Sequence, residues 1–208
     1  GAYSLYTNST GQQNIAVGYT SLYNNTTGFA NHAVGVNALQ SNTTGYYNVA
    51  IGNGALQVNT TGINNLACGQ ASLNVNATGS NNTAYGYASL LSATNSSSNN
   101  TVVGANAGRT LTTSNNNTFL GYNAGFHASQ SLTASNSMAL GNGTYTTADN
   151  QVVIGNTSVT QTQLNGNVGI GTTTTNQKLT VSGTGTIAAR IESTSTSGAR
   201  DAQLQLYV

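Results

Sequence analysis

Residues 31–47 read Asn31-His-Ala-Val-Gly35, Val36-Asn-Ala-Leu39 and Gln40-Ser-Asn-Thr-Thr-Gly-Tyr-Tyr47. The next seventeen residues, from Asn48-Val-Ala-Ile-Gly52 through Asn59-Thr-Thr-Gly62 to Asn64, repeat the pattern. The unit is N-x-A-ϕ-G-x-x-(A/S)-L-x-x-N-T-T-G-x-x, with ϕ a hydrophobic residue. Gly18, Gly35, Gly52, Gly69 and Gly86 stand seventeen residues apart, and so do Gly11, Gly28, Gly45, Gly62 and Gly79. Self-similarity at a fixed period of this size is the mark of stacked structural repeats. Beyond Gly86 follow the cores Asn100-Thr-Val-Val-Gly104, Asn117-Thr-Phe-Leu-Gly121, Ser137-Met-Ala-Leu-Gly141, Gln151-Val-Val-Ile-Gly155 and Asn167-Val-Gly-Ile-Gly171, their closing glycines no longer evenly spaced. Insertions of this kind belong in the loops of a solenoid.

Seventeen residues cannot hold two helices and their connections. They can hold two strands of four or five residues with two turns, and the Gly, Asn and Thr content supplies the turns. The sequence therefore predicts an all-β chain, a parallel β-solenoid of 17-residue coils with two short strands each. The ϕ series, Val17, Val34, Ile51, Cys68, Tyr85 and onward, suits the inside face. Residues alternate along a strand, so Ala16, Ala33, Ala50, Ala67 and Ala84 fall on the opposite face, a flat surface of small residues open to another chain. Leu5, Leu22, Leu39, Leu56, Leu73 and Leu90 are expected in the second strand. Asn14, Asn31, Asn48, Asn65 and Asn82 should stack as an amide ladder. The Gly of N-T-T-G is expected at positive φ. Ten coils at about 4.8 Å spacing would make a rod on the order of 50 Å long.

Composition narrows the function. Charged residues make up 3% of the chain, against about 25% in ordinary domains. The charges are Arg109, Asp149, Lys178, Arg190, Glu192, Arg200 and Asp201, with none before Arg109. Neutralising phosphates needs clustered Lys and Arg, so no nucleic-acid partner is expected. No apolar run reaches the length of a membrane span, so no membrane insertion is expected. The 1–160 stretch reads as the repeat array. Residues 161–208 read as an incomplete β module or neck, with alternating segments at Lys178-Leu-Thr-Val-Ser182, Ile187-Ala-Ala-Arg-Ile-Glu192 and Asp201-Ala-Gln-Leu-Gln-Leu-Tyr207. The whole reads as a slice of a longer protein.

The stretch Ser135-Asn-Ser-Met-Ala-Leu-Gly-Asn-Gly-Thr144 with Gln151-Val-Val-Ile-Gly-Asn156 resembles the head repeats of trimeric autotransporter adhesins. The 17-residue array is similar to longer repeats of phage tail fibres and large bacterial surface proteins. Gly166-Asn-Val-Gly-Ile-Gly-Thr172 and Gln177-Lys-Leu-Thr-Val181 resemble the segment that precedes an endosialidase-type chaperone in such proteins. The resemblance implies a homotrimeric, extracellular β-roll on a virion or cell surface. The adhesin-head repeat is shorter than the one here, and the chaperone itself does not occur in this sequence, so its autocleavage is not implied.

Chemistry for catalysis is sparse. Asp149, Glu192 and Asp201 are the only acids, in no paired arrangement. His32 and His127 occupy unrelated positions, and no G-x-S-x-G elbow occurs. No catalytic residue, cofactor site or metal site is expected, since the turns carry Asn and Thr where calcium rolls carry Asp. Cys68 reads as a small buried hydrophobe in the ϕ column. Asn8, Asn25, Asn42, Asn59 and Asn76 begin N-x-S/T sequons that could carry a column of glycans. The favoured reading is that they serve turns and ladders instead. Tyr19, Tyr87 and Tyr122 follow the repeat Gly and suit contact with sugars or with another chain.

The expected function is thus structural and adhesive: a shaft or head segment of a self-associating extracellular fibre, a homotrimer with a cell-surface receptor or glycan as further partner. A self-assembling surface filament, glycosylated or not, is the alternative. An ice-binding solenoid ranks third, because the repeated Thr pair falls in a turn and not on a flat face.

Overall fold

The computed structural model describes residues 1–93, 96–166, 168–170 and 179–181. The chain divides into two compact units, Gly1–Val159 and Thr160–Val208. The first is a parallel β-solenoid. Its strands are β1 (Ile15–Val17), β2 (His32–Val34), β3 (Val49–Ile51), β4 (Leu66–Cys68), β5 (Thr83–Tyr85), β6 (Thr101–Val103), β7 (Thr118–Leu120), β8 (Met138–Leu140) and β9 (Val152–Ile154). They stack in chain order into one parallel sheet. Register follows the repeat: Ala33 pairs with Ala50, Ala50 with Ala67, and Ala67 with Ala84. Eight steps of about 4.8 Å make this sheet about 38 Å long along the stack. In the second unit β10 (Val168–Ile170) pairs in parallel with β11 (Leu179–Val181). The expected strands at 187–192 and 201–207 lie outside the described residues, as does Lys178.

The inside of the coil is the reverse of the expected one. Ala33, Ala50, Ala67 and Ala84 are fully buried, and Val17, Val34, Ile51 and Tyr85 of the ϕ series are exposed. Size decides this, because each coil is too thin to admit more than a methyl opposite a buried Leu. The exceptions obey the same rule. Where the inward strand residue grows to Val102 and then Phe119, the Leu column gives way to Gly108 and Gly125. A Cβ on Gly125 would lie 2.4 Å from the Phe119 ring.

There is also one strand per coil, not two. The segment expected to be the second strand is a corner, and Leu22, Leu39, Leu56, Leu73 and Leu90 sit in it at φ 48–50°. The left-handed conformation costs an L-residue about 1–2 kcal/mol. Complete burial of the Leu side chain contributes about 1.5–3 kcal/mol, which offsets it. Each Leu N–H reaches a carbonyl of the next coil, as in Leu39 to Ala55 at 3.0 Å.

Two columns of buried amides tie the coils together. In the first, each Asn side-chain oxygen accepts the backbone N–H of the Asn one coil on, at 2.9–3.1 Å from Asn14 through Asn117. From Asn48 on, the Nδ2 groups also donate along the column at 3.1–3.2 Å. The second column is Asn8, Asn25, Asn42 and Asn59, linked at 2.7–2.8 Å. Both columns donate to the same carbonyl: Gly45 O accepts from Asn31 Nδ2 at 2.8 Å and from Asn42 Nδ2 at 3.0 Å. That convergence, and not positive φ, is why N-T-T-G needs Gly. A Cβ on Gly45 would sit 2.4 Å from Asn42 Oδ1 and 2.5 Å from Gly62 O. The positive φ belongs instead to the strand-end series, such as Gly35 at 140° and Gly52 at 134°.

Truncating one rung should orphan a buried donor and weaken its neighbours. Asn48→Ala takes the acceptor from Asn65 N–H and removes one of two donors from both Asn31 Oδ1 and Gly62 O. At about 1–3 kcal/mol for the orphaned group and about 0.5–1.5 for each of the two hydrogen bonds lost, the expected destabilisation is about 2–6 kcal/mol. Exposed Asn53→Ala should stay within about 0.5 kcal/mol. Urea denaturation of both variants checks this; equal midpoints would refute the ladder as the source of stability.

Candidate functional site

The reversal of the coil places the ϕ residues, larger than the inward Ala of most strands, on the solvent side of the sheet. In the ϕ column Val17, Val34, Ile51, Tyr85, Leu120 and Ile154 are between 39% and 55% exposed. Cys68, Val103 and Leu140 in the same column are half-buried. A parallel outward column, two residues earlier, runs from Ile15 through Val49 and Leu66 to Met138 and Val152. The three-residue strands are about 10 Å wide and the stack about 38 Å long, so the strip covers about 400 Å² in projection. Apolar patches of that size on a monomer are commonly contact surfaces. Arg109 and Asp149, the charged side chains among the described residues, both lie outside the strands.

The residues singled out from the sequence fall in different places. His32 is exposed in the x column of β2. His127 stacks on Tyr145 at 4.1 Å in the insertion between β7 and β8, and its Nδ1 accepts from Ser129 N at 3.0 Å. Asp149 accepts from Ser135 N at 2.8 Å, a turn contact that joins two coils. Among the described residues no three His, Cys, Asp or Glu side chains gather where they could hold a metal ion. Cys68 is an unpaired thiol, half-buried in the outward column and not in the core. Tyr19, Tyr87 and Tyr122 are all exposed, in one column but separated by Val36, Asn53, Gln70 and Ala105.

A second feature was not signalled by the repeat. Thr10, Gln12, Gln13, Thr27 and Phe29 line an open cavity of about 210 Å³ between the first two coils. Phe29 stacks on Tyr46 at 4.7 Å with the rings 7° from parallel, and Tyr47 closes on both edge-on at 5.3 Å. Its trace in the sequence is the x-x pair before the inner Asn. That pair reads Gln12-Gln13, then Phe29-Ala30, then Tyr46-Tyr47, where later coils carry Ile63-Asn64 and Ser80-Asn81.

No family model, curated protein or solved structure matches the chain. What the chain does therefore has to be read from its own surfaces.

Asn25, Asn42, Asn59 and Asn76 of the sequons are fully buried, and Asn8 is half-buried. Their Nδ2 atoms, where a glycan would attach, each donate to the Gly carbonyl three residues on, at 2.9–3.2 Å. A glycan there would break the column and could not be housed. The folded protein secreted from a glycosylating host should therefore carry no sugar at Asn25, Asn42 or Asn59. Peptide mapping after enzymatic deglycosylation in water enriched in the heavy oxygen isotope checks this, since an occupied Asn becomes a labelled Asp, and full occupancy at Asn42 in folded material would contradict the ladder.

Proposed function

We propose that this chain is a structural segment, shaft or head, of an extracellular fibre, in which copies pack in register through the outer face of β1–β9. The observation that carries this reading is the uninterrupted ϕ column: nine stacked strands present apolar side chains to solvent, most of them exposed. Burying one such side chain fully stabilises an association by about 1.5–3 kcal/mol, and the column repeats that gain at every coil. Absence of charged side chains before Arg109 removes the repulsion that would oppose packing identical surfaces. A trimer is favoured by the adhesin-head resemblance of residues 135–156. Self-association was expected through the Ala face; burial of that face moves it to the opposite side of the strand. The role is mechanical and adhesive, not catalytic, and its setting a virion or cell surface.

Light scattering on the purified chain should give three times the single-chain mass of 21.1 kDa. Val34→Lys with Ile51→Lys should return the mass to 21.1 kDa without changing the β-sheet circular dichroism signal, since both side chains point outward. A bismaleimide should join copies through Cys68 in the wild type and not in the double variant. A wild-type mass of one chain would overturn the proposal, and open-ended polymers would favour the surface filament.

A further inference from the structure

We propose that the cavity beside Phe29 is a binding subsite for a neutral hexopyranose unit of a glycan. The site lies within a single chain, so it stands or falls separately from the assembly. Its floor is a fixed aromatic platform. The Tyr46 ring covers one face of Phe29 at 4.7 Å, so the other face is turned along the stack toward the coil of Gln12 and the cavity. Tyr47 buttresses both rings edge-on. Ala30 stands between Gln13 and Tyr47 in the neighbouring column. The backbone of this corner is pinned by the bond from Ala30 N to Gln12 O at 2.9 Å.

The rim is polar and unspent. The side chains of Thr10, Gln12, Gln13 and Thr27 make no hydrogen bond within the described chain, unlike Gln40 and Gln57, which pair at 3.0 Å. Two amides and two hydroxyls provide both donors and acceptors around one apolar ring face. A pyranose has the complementary shape: a face of C–H groups that stacks on an aromatic ring and an equator of hydroxyls that can donate and accept. The volume of about 210 Å³ suits one sugar ring.

Competing ligands fit less well. A purely apolar group would strip water from four polar side chains without replacing their hydrogen bonds. Nucleotides and sulfated or acidic sugars need a cation, and no Lys or Arg occurs before Arg109. A neutral sugar needs none. One open, shallow site binds weakly, on the order of millimolar, and a fibre that repeats it gains by multivalency.

Saturation-transfer difference NMR tests this with the methyl glycosides of glucose, galactose, mannose and N-acetylglucosamine. At least one should receive saturation at its ring C–H protons. Phe29→Ile, which keeps the bulk and removes the flat face, should abolish the transfer. Gln12→Ala and Gln13→Ala should each weaken binding about 3- to 10-fold, the worth of one net hydrogen bond. Transfer to none of the four sugars would overturn the proposal. So would transfer that survives Phe29→Ile, or that disappears in Tyr6→Ala, which would place binding in the separate tyrosine cluster of Tyr3, Tyr6, Tyr19 and Tyr23.

Discussion

Each coil must bring its chain back on itself within seventeen residues, and the backbone groups released at the corners need partners inside a narrow, dry tube. Buried asparagine meets that requirement. The residue before each inner Asn is left-handed, as at Ala30, Tyr47 and Asn64. The chain turns there, and the N–H that follows meets an amide oxygen of the preceding coil in place of a backbone carbonyl. The same side chain spends its Nδ2 on the buried carbonyl of the Gly that precedes the next rung by three residues. An unpaired buried amide is destabilising by about 1–3 kcal/mol, so the column works only when every rung is filled. The second column ends at Asn59, whose Oδ1 is left without a partner, and Asn76 Oδ1 is likewise unpaired where Ala93 follows it in the column. The repeat spacing lengthens at the same place, between Gly86 and Gly104.

Thickness follows from these rungs. A tube held at the width of two stacked amides has room for a methyl and a Leu across from each other, and little more. Phe119 is admitted only because Gly125 faces it. Close packing of this kind penalises added volume as well as lost volume. The left-handed Leu residues belong to the same balance, since their burial outweighs the backbone cost only while the opposite wall stays small.

Periodicity made the solenoid, the parallel register and the first amide column legible from the sequence, because each depends on residue identity recurring at one spacing. The in–out assignment was not legible by hydrophobicity. Ala and Val are both apolar, and the larger residue ordinarily goes inside; here volume overrides the transfer term. The exchange of Leu for Gly108 and Gly125 opposite Val102 and Phe119 was the available clue to it. The missing second strand was hidden because Leu rarely adopts positive φ, so no local propensity announces it. The notch at Phe29 arises from residues in three successive coils, and a single repeat read alone does not display it.

The two outward columns differ in a way that bears on what the outer face is for. Strand propensity alone favours β-branched and aromatic residues in both, and Thr satisfies it as well as Val does. The x column uses that freedom, with His32, Thr83, Thr101 and Thr118 among its nine positions. The ϕ column never does: Val17, Val34, Ile51, Cys68, Tyr85, Val103, Leu120, Leu140 and Ile154 are all apolar or aromatic. Both columns leave the same strands in the same direction, so backbone conformation and core packing cannot separate them. An exposed column facing only water would drift toward Thr as the x column has. In the proposed packing the ϕ column is the side a neighbouring copy would cover, and the x column would lie nearer the rim, where polar residues are tolerated and water remains.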